Sequence, residues 1–81
     1  MATANVRLSL EGDYASATTN RCRAVLEAHG FVRISTGSYT ADGHVWDLLN
    51  GIAAVTNELV DANAAPLDHL WVQISRTYQD D

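Results

Sequence analysis

Lysine is missing from this chain altogether, and its five basic residues, Arg7, Arg21, Arg23, Arg33 and Arg76, are all arginines. Ten carboxylates outweigh them, giving a formal charge of −5 and an isoelectric point near 4.8. Proteins that grip nucleic acid over a wide area carry a basic patch or a high isoelectric point, so a broad footprint of that kind is excluded and only a small local one stays open. Arginine without lysine, in a chain rich in alanine, valine and glycine, is what a G+C-rich coding sequence produces. The functional alternative is selection for the planar guanidinium fork, which binds phosphates and carboxylates at two points, and it has only five residues behind it.

Cysteine is nearly absent too. The single Cys22 excludes an internal disulfide and a cysteine-rich zinc site. Between Arg21 and Arg23 an exposed thiol would be activated, but a small apolar residue on a buried helix face is the expected role. No apolar run approaches the roughly 18 residues of a membrane span, and MATANVRLSL lacks a basic region followed by an apolar one. The chain therefore reads as soluble and cytoplasmic, with no membrane partner. Repeats and low-complexity segments are also lacking, which leaves one domain over residues 1–81, ordered from about 5 to 76.

A hydrophobic content of 47% against 19% charged is that of a globular chain. At 81 residues it buries only roughly 60–65% of its unfolded surface. A sheet domain this small often completes its core by pairing with a second copy, so a homodimer is expected.

Val6, Leu8 and Leu10 alternate with Arg7, Ser9 and Glu11, predicting a strand with one wet face from Asn5 to about Leu10. Gly12 breaks it, and Asp13 is placed to cap a helix from about Tyr14 to His29. Thr18, Cys22, Val25, Leu26 and His29 share one face of that helix. Gly30 supplies the left-handed residue that ends a helix, and Phe31 to Ile34 is extended. Thr36-Gly37 then turns the chain into a third strand at Ser38, Tyr39 and Thr40.

Asp42-Gly43 closes that strand and opens a second helix, about His44 to Asp61, whose apolar stripe is Val45, Leu48, Ile52, Val55 and Leu59, flanked by Leu49 and Val60. Gly51 inside it costs about 1 kcal/mol against alanine, which points to a close approach or to simple tolerance. Beyond a loop around Pro66, Leu70, Val72 and Ile74 alternate with Trp71, Gln73 and Ser75 as a fourth strand, and TYQDD is a polar tail. The order βαββαβ, with right-handed crossovers, predicts an α+β ferredoxin-like sandwich: two helices on one face of a four-stranded antiparallel sheet.

With Val6, Leu8, Leu10, Val72 and Ile74 under the helices, Arg7, Ser9, Arg33, Ser35, Trp71, Gln73 and Ser75 fall on the open face. Trp71 among arginines either packs into a symmetric dimer interface, the favoured reading, or stacks on nucleotide bases. Arg7, Arg33, Tyr39 and Gln73 are the other expected interface residues. His29, His44 and His69 are scattered without ligand spacing, His29 serving the helix-end carbonyls and the other two falling in loops or first turns. Glu11 and Asp13, two carboxylates at a strand-to-helix junction, are the candidate ligands of a divalent cation. The plainer alternative makes Asp13 a helix cap and Glu11 a solvated edge. Ser38, beside Gly37, is a candidate nucleophile or phosphate contact, or a structural turn serine.

A first strand ending in acidic residues, a helix closing on LEAHGF and a hairpin containing TGSYT resemble the layout of the VapD virulence-associated proteins, of the small CRISPR-associated ferredoxin-like nucleases and of the antitoxin ribonuclease GhoS. The likeness follows the order of elements over most of the chain and residue detail from Leu26 to Thr40. It implies a homodimer joined through its sheets that cleaves or binds RNA, often in a toxin–antitoxin or mobile-element setting. Carried over, Asp13 stands for the acid after the first strand and Ser38 for the small polar residue of the hairpin, with Mg²⁺ or Mn²⁺ as the metal of a nuclease and no other cofactor. Leu10-Glu11-Gly12 departs from the pattern by putting the acid later, which favours a member that keeps the fold without the activity.

The first-placed reading is thus a small dimeric interaction or regulatory module of mobile-element, phage or toxin–antitoxin type, non-catalytic, docking its acidic surface on a basic partner protein. A metal-assisted endoribonuclease with Asp13 and Glu11 as ligands is one alternative. A small-molecule-binding domain with its ligand between sheet and helices is the other.

Overall fold

The computed structural model describes residues 1–12, 16–62 and 66–76. Six elements follow in the predicted order: β1 (Ala2–Leu10), α1 (Ala17–Ala28), β2 (Val32–Ser35), β3 (Ser38–Gly43), α2 (Val45–Ala62) and β4 (Leu67–Arg76). The four strands make one sheet in the order β2-β3-β1-β4, and each neighbouring pair is antiparallel. This is the ferredoxin-like α+β arrangement the sequence predicts. Neither helix is long and apolar enough to cross a membrane.

The core lies between the sheet and the helix layer. Ala2, Ala4, Val6 and Leu8 of β1 and Tyr39 and Ala41 of β3 face Cys22 and Leu26 of α1, Leu48 and Val55 of α2, and Phe31. Small side chains at Ala2, Ala4 and Ala41 let the helices sit close, while Leu26 alone contributes about 2 kcal/mol by its burial. Cys22 is part of this core, in its expected apolar role.

Gly30 ends α1 in the left-handed conformation, φ 86°. Its N–H donates to the Glu27 carbonyl and the Phe31 N–H to that of Leu26, while Leu26 and Phe31 both enter the core. The sequence LEAHGF therefore caps the helix and plants the first side chain beyond it in one move. At the other end Ser16 takes the cap position with φ 56° and no side-chain cap bond, and the expected cap Asp13 lies outside the described residues.

Several boundaries differ from the periodicity reading, most instructively those of the strands. β1 begins at Ala2 rather than Asn5, and β3 runs on through Asp42 and Gly43, where a turn is predicted. The two extensions depend on each other: Ala2 pairs with Gly43 and Thr3 with Asp42, whose Oδ1 accepts from the Thr3 hydroxyl at 2.6 Å. On its other side Ala2 stands opposite Arg76, so β4 is longer as well, and His69 lies in it rather than in a loop.

The helices do not cover the whole sheet. α2 packs over β1 and β3, and along β4 the predicted core residues Leu70 and Ile74 are only half-buried while Val72 is 37% exposed. Edge position is the cause, since nothing described lies beyond β4. The hairpin turn is held instead by the centre of the sheet: the Leu8 N–H donates to the Gly37 carbonyl at 2.8 Å.

Candidate functional site on the open sheet face

Strand alternation sends one set of side chains away from the helices, and the register stacks them in rows across β3, β1 and β4. Thr3 stands between Asp42 and Ser75, Asn5 between Thr40 and Gln73, and Arg7 between Ser38 and Trp71. The face is a polar field of hydroxyls and amides around one aromatic ring. At its centre the Arg7 guanidinium lies over the Trp71 indole, 5.3 Å from the ring centroid. Such a stack is worth about 0.5–1 kcal/mol at an exposed site and holds both side chains in a defined plane.

A shallow cavity of about 290 Å³ opens beside the pair, lined by Asn5, Arg7, Ile34, Ser38, Trp71 and Gln73. It lies just under the roughly 300 Å³ at which small-molecule sites begin, which suits a projecting side chain or a flat ring better than an enclosed ligand. Its walls supply donors and acceptors from the amides of Asn5 and Gln73 and the hydroxyls of Ser35 and Ser38, and donors from the Arg7 guanidinium.

Two of the expected interface residues belong to the other side of the sheet. Tyr39 pairs with Val6 and is 2% exposed, packed in the core beneath the helices. Burial raises the pKa of its phenol, an effect that Arg33 and Arg23 partly oppose. Arg33 pairs with Tyr39 and so shares its side. The reason is a register shift: Arg33 opposes Tyr39 but Ser35 opposes Ser38, leaving Ile34 as an extra residue. Ser35 stays on the open face as expected, whereas Arg33, two residues earlier, does not. Its guanidinium donates to the Thr36 hydroxyl at 3.2 Å.

Ser38 is half-buried on the open face, opposite Arg7. Glu11 is exposed past the end of β1, where its backbone N–H donates to the Pro66 carbonyl. Glu11 is four steps along the chain from Arg7, roughly 13 Å at strand rise, so Ser38 and Glu11 do not share a site. Asp13, the other expected ligand and catalytic candidate, lies outside the described residues. Among the described residues no three His, Cys, Asp or Glu side chains stand close enough to hold a metal ion.

The histidines stay apart. His29 Nδ1–H donates to the Val25 carbonyl at 2.9 Å, the helix-end role expected of it, though its side chain is exposed rather than part of the buried face. His69 lies 3.3 Å from Asp68 on the surface of β4. A second, wide-open cavity of about 610 Å³ lies in the helix layer, where His29 faces Asp47, Asn50 and Asn57 of α2. The rest of its lining is alanine, Ala28, Ala53 and Ala54, and the depression is too open to enclose a ligand.

Sequence reasoning passed over Asn5 and Ile34 as parts of the open-face site. Asn5 shares the parity of Arg7 along β1, a signal that was present. Ile34 reaches this face only through the register shift, which no pattern in VRIS announces.

Comparison with protein-family models, with curated proteins and with solved structures finds no match to this chain.

Proposed function

We propose that this protein is a small dimeric interaction module that acts by recognition rather than by chemistry, with the open face of its sheet as the partner surface. The observation that carries the reading is the Arg7–Trp71 stack at the centre of an uncovered, polar sheet face. Tryptophan and arginine are the side chains that most often hold the energy of a protein interface, and a surrounding ring of polar residues is the usual setting for such an anchor. Asn5, Ser38, Thr40 and Gln73 form that ring. A formal charge of −5 favours a partner with a basic surface and makes the attraction salt-sensitive.

A second reading has the same observation behind it. A guanidinium stacked on an indole can receive a nucleobase, so a short single strand of RNA is the alternative occupant of this face. The ribonuclease reading rests on Asp13 and on the resemblance to VapD-like proteins, with Glu11 and Ser38 too far apart to assist one another.

The test compares capture of partners by the wild type, Arg7→Ala, Trp71→Ala and Trp46→Ala. Trp46, on α2, is 73% exposed and more accessible than Trp71 at 45%, so it controls for adhesion to any bare indole. A partner identified with the wild type, retained by Trp46→Ala and lost by the other two variants is the expected result. Retention of the same partner by all four chains would overturn the reading. Quenching of Trp71 fluorescence in the Trp46→Phe background by a short single-stranded RNA, abolished by Arg7→Ala, would decide for the second reading.

A further inference from the structure

The two edges of this sheet are unlike. β2 is four residues long, is interrupted by the register shift at Ile34 and turns the charge of Arg33 toward the helix side, all devices that discourage another strand from adding to it. β4 has ten residues, from Leu67 to Arg76; among the described residues it is paired along one side only, to β1, in unbroken register from His69 to Arg76, with one register shift at Asp68 near its start. Its stretch from His69 to Ser75 contains no lysine, arginine, carboxylate or proline. Apolar surface gathers along it where α2 stops short: Leu67 is 52% exposed, Val72 is exposed, and Leu70 and Ile74 are half-buried. An edge that is regular over the eight residues from His69 to Arg76, with apolar side chains on one side, is a template for strand addition.

The sequence of β4 names the occupant, because it complements itself when reversed. We infer that a second copy of this chain adds to β4 in antiparallel register, with a two-fold axis passing between the two Val72 residues. That register sets Val72 against Val72 of the second copy and Leu70 against its Ile74, joining the half-covered apolar surfaces into one. It brings Asp68, the extra residue at the register shift of each strand, beside Arg76 at the opposite end of the other, so opposite charges flank the apolar centre on both sides. Shifting the register by two residues in either direction loses both pairings of opposite charge. The two sheets become one of eight strands. On its open face Trp71 stands opposite Gln73 of the second copy, and the two Trp71 residues become diagonal neighbours roughly 7–8 Å apart. The partner surface described above is thereby doubled. This assignment specifies the dimer of the proposed function, but it does not depend on the identity of the partner.

Charge reversal tests the register without disturbing the core, since Asp68 and Arg76 are exposed. Sedimentation equilibrium on the full chain is expected to give a concentration-dependent dimer. Asp68→Arg alone and Arg76→Asp alone each convert two attractions into two repulsions and should weaken the dimer by roughly tenfold or more. An equimolar mixture of those two variants should form the heterodimer at close to wild-type strength, and the double variant should recover the homodimer. Val72→Lys should give monomers. A wild type that stays monomeric at every concentration overturns the inference, as does a dimer indifferent to all of these changes or one lost only with Trp71→Ala. A monomer would leave recognition by the Arg7–Trp71 face standing, and failure of partner capture would leave the β4 dimer standing, so the two results are separable.

Discussion

Gly51 of α2 lies against the ring of Phe31: a β-carbon added there would stand 2.8 Å from Phe31 Cε1 and 3.0 Å from His29 Cβ. The helix thus approaches the junction between α1 and β2 at a point only glycine allows, which settles the choice between close approach and tolerance. Gly51→Ala gains about 1 kcal/mol of helix propensity but forces a buried ring to move, an overpacking cost of about 1–3 kcal/mol. Net destabilisation is expected, and urea unfolding of the variant should show a lower midpoint with an unchanged slope. An unchanged or higher midpoint would mean that Phe31 yields freely.

Gly37 and Gly30 separate two reasons for a glycine. Both have positive φ, 73° and 86°, so an alanine at either is strained by roughly 1–2 kcal/mol. At Gly30 a β-carbon meets nothing within 4 Å, whereas at Gly37 it would lie 2.6 Å from the Leu8 carbonyl oxygen. Gly37→Ala should therefore cost clearly more than Gly30→Ala and displace the hairpin from β1. Equal thermal shifts in the two variants would show that the contact with Leu8 relaxes without cost.

Tyr39 predicts a pH effect whose direction can be worked out. Burial raises its phenol above the ordinary 10.0, so above that pH the folded chain keeps a proton the unfolded chain gives up. Stability is unaffected below about pH 10 and falls as pH rises through the window above it. Tyr39→Phe should flatten this decline, measured as unfolding free energy at about pH 9 and about pH 11. An equally steep decline in the variant would remove Tyr39 as its source.

The Arg7–Trp71 stack should barely register in stability. A double-mutant cycle with Arg7→Ala and Trp71→Ala is expected to give a coupling of about 0.5–1 kcal/mol. Leu26→Ala, by contrast, empties a fully buried site and should cost about 2–5 kcal/mol. A coupling indistinguishable from zero would show that the ring and the guanidinium do not hold each other in solution.

The order of elements was legible because the periods are local: two-residue alternation in VRLSL and LWVQIS, steps of three and four from Val45 to Leu59, and a glycine where α1 ends. Strand limits were not, because they are set by partners far away in sequence. Nothing in MATAN announces a strand until Gly43 and Arg76 are known to stand on either side of Ala2. The centre of the candidate site follows from parity along β1 and β4, so Arg7, Trp71 and Gln73 fall together as expected. Arg33 and Tyr39 fell on the other side because one extra residue at Ile34 reverses the alternation of β2, and because Tyr39 shares the register of Val6.

The pairing of Ala2 with Arg76 places the first and last strand residues side by side on neighbouring strands, roughly 5 Å apart at their Cα atoms. The ladder is in effect closed between its first strand residue and its last. A short linker between the two would let the chain be opened elsewhere and read from a new starting point without breaking any strand pair. Ala2 and Arg76 thus mark one corner of the sheet, five residues along β1 from Arg7 and on β4 from Trp71.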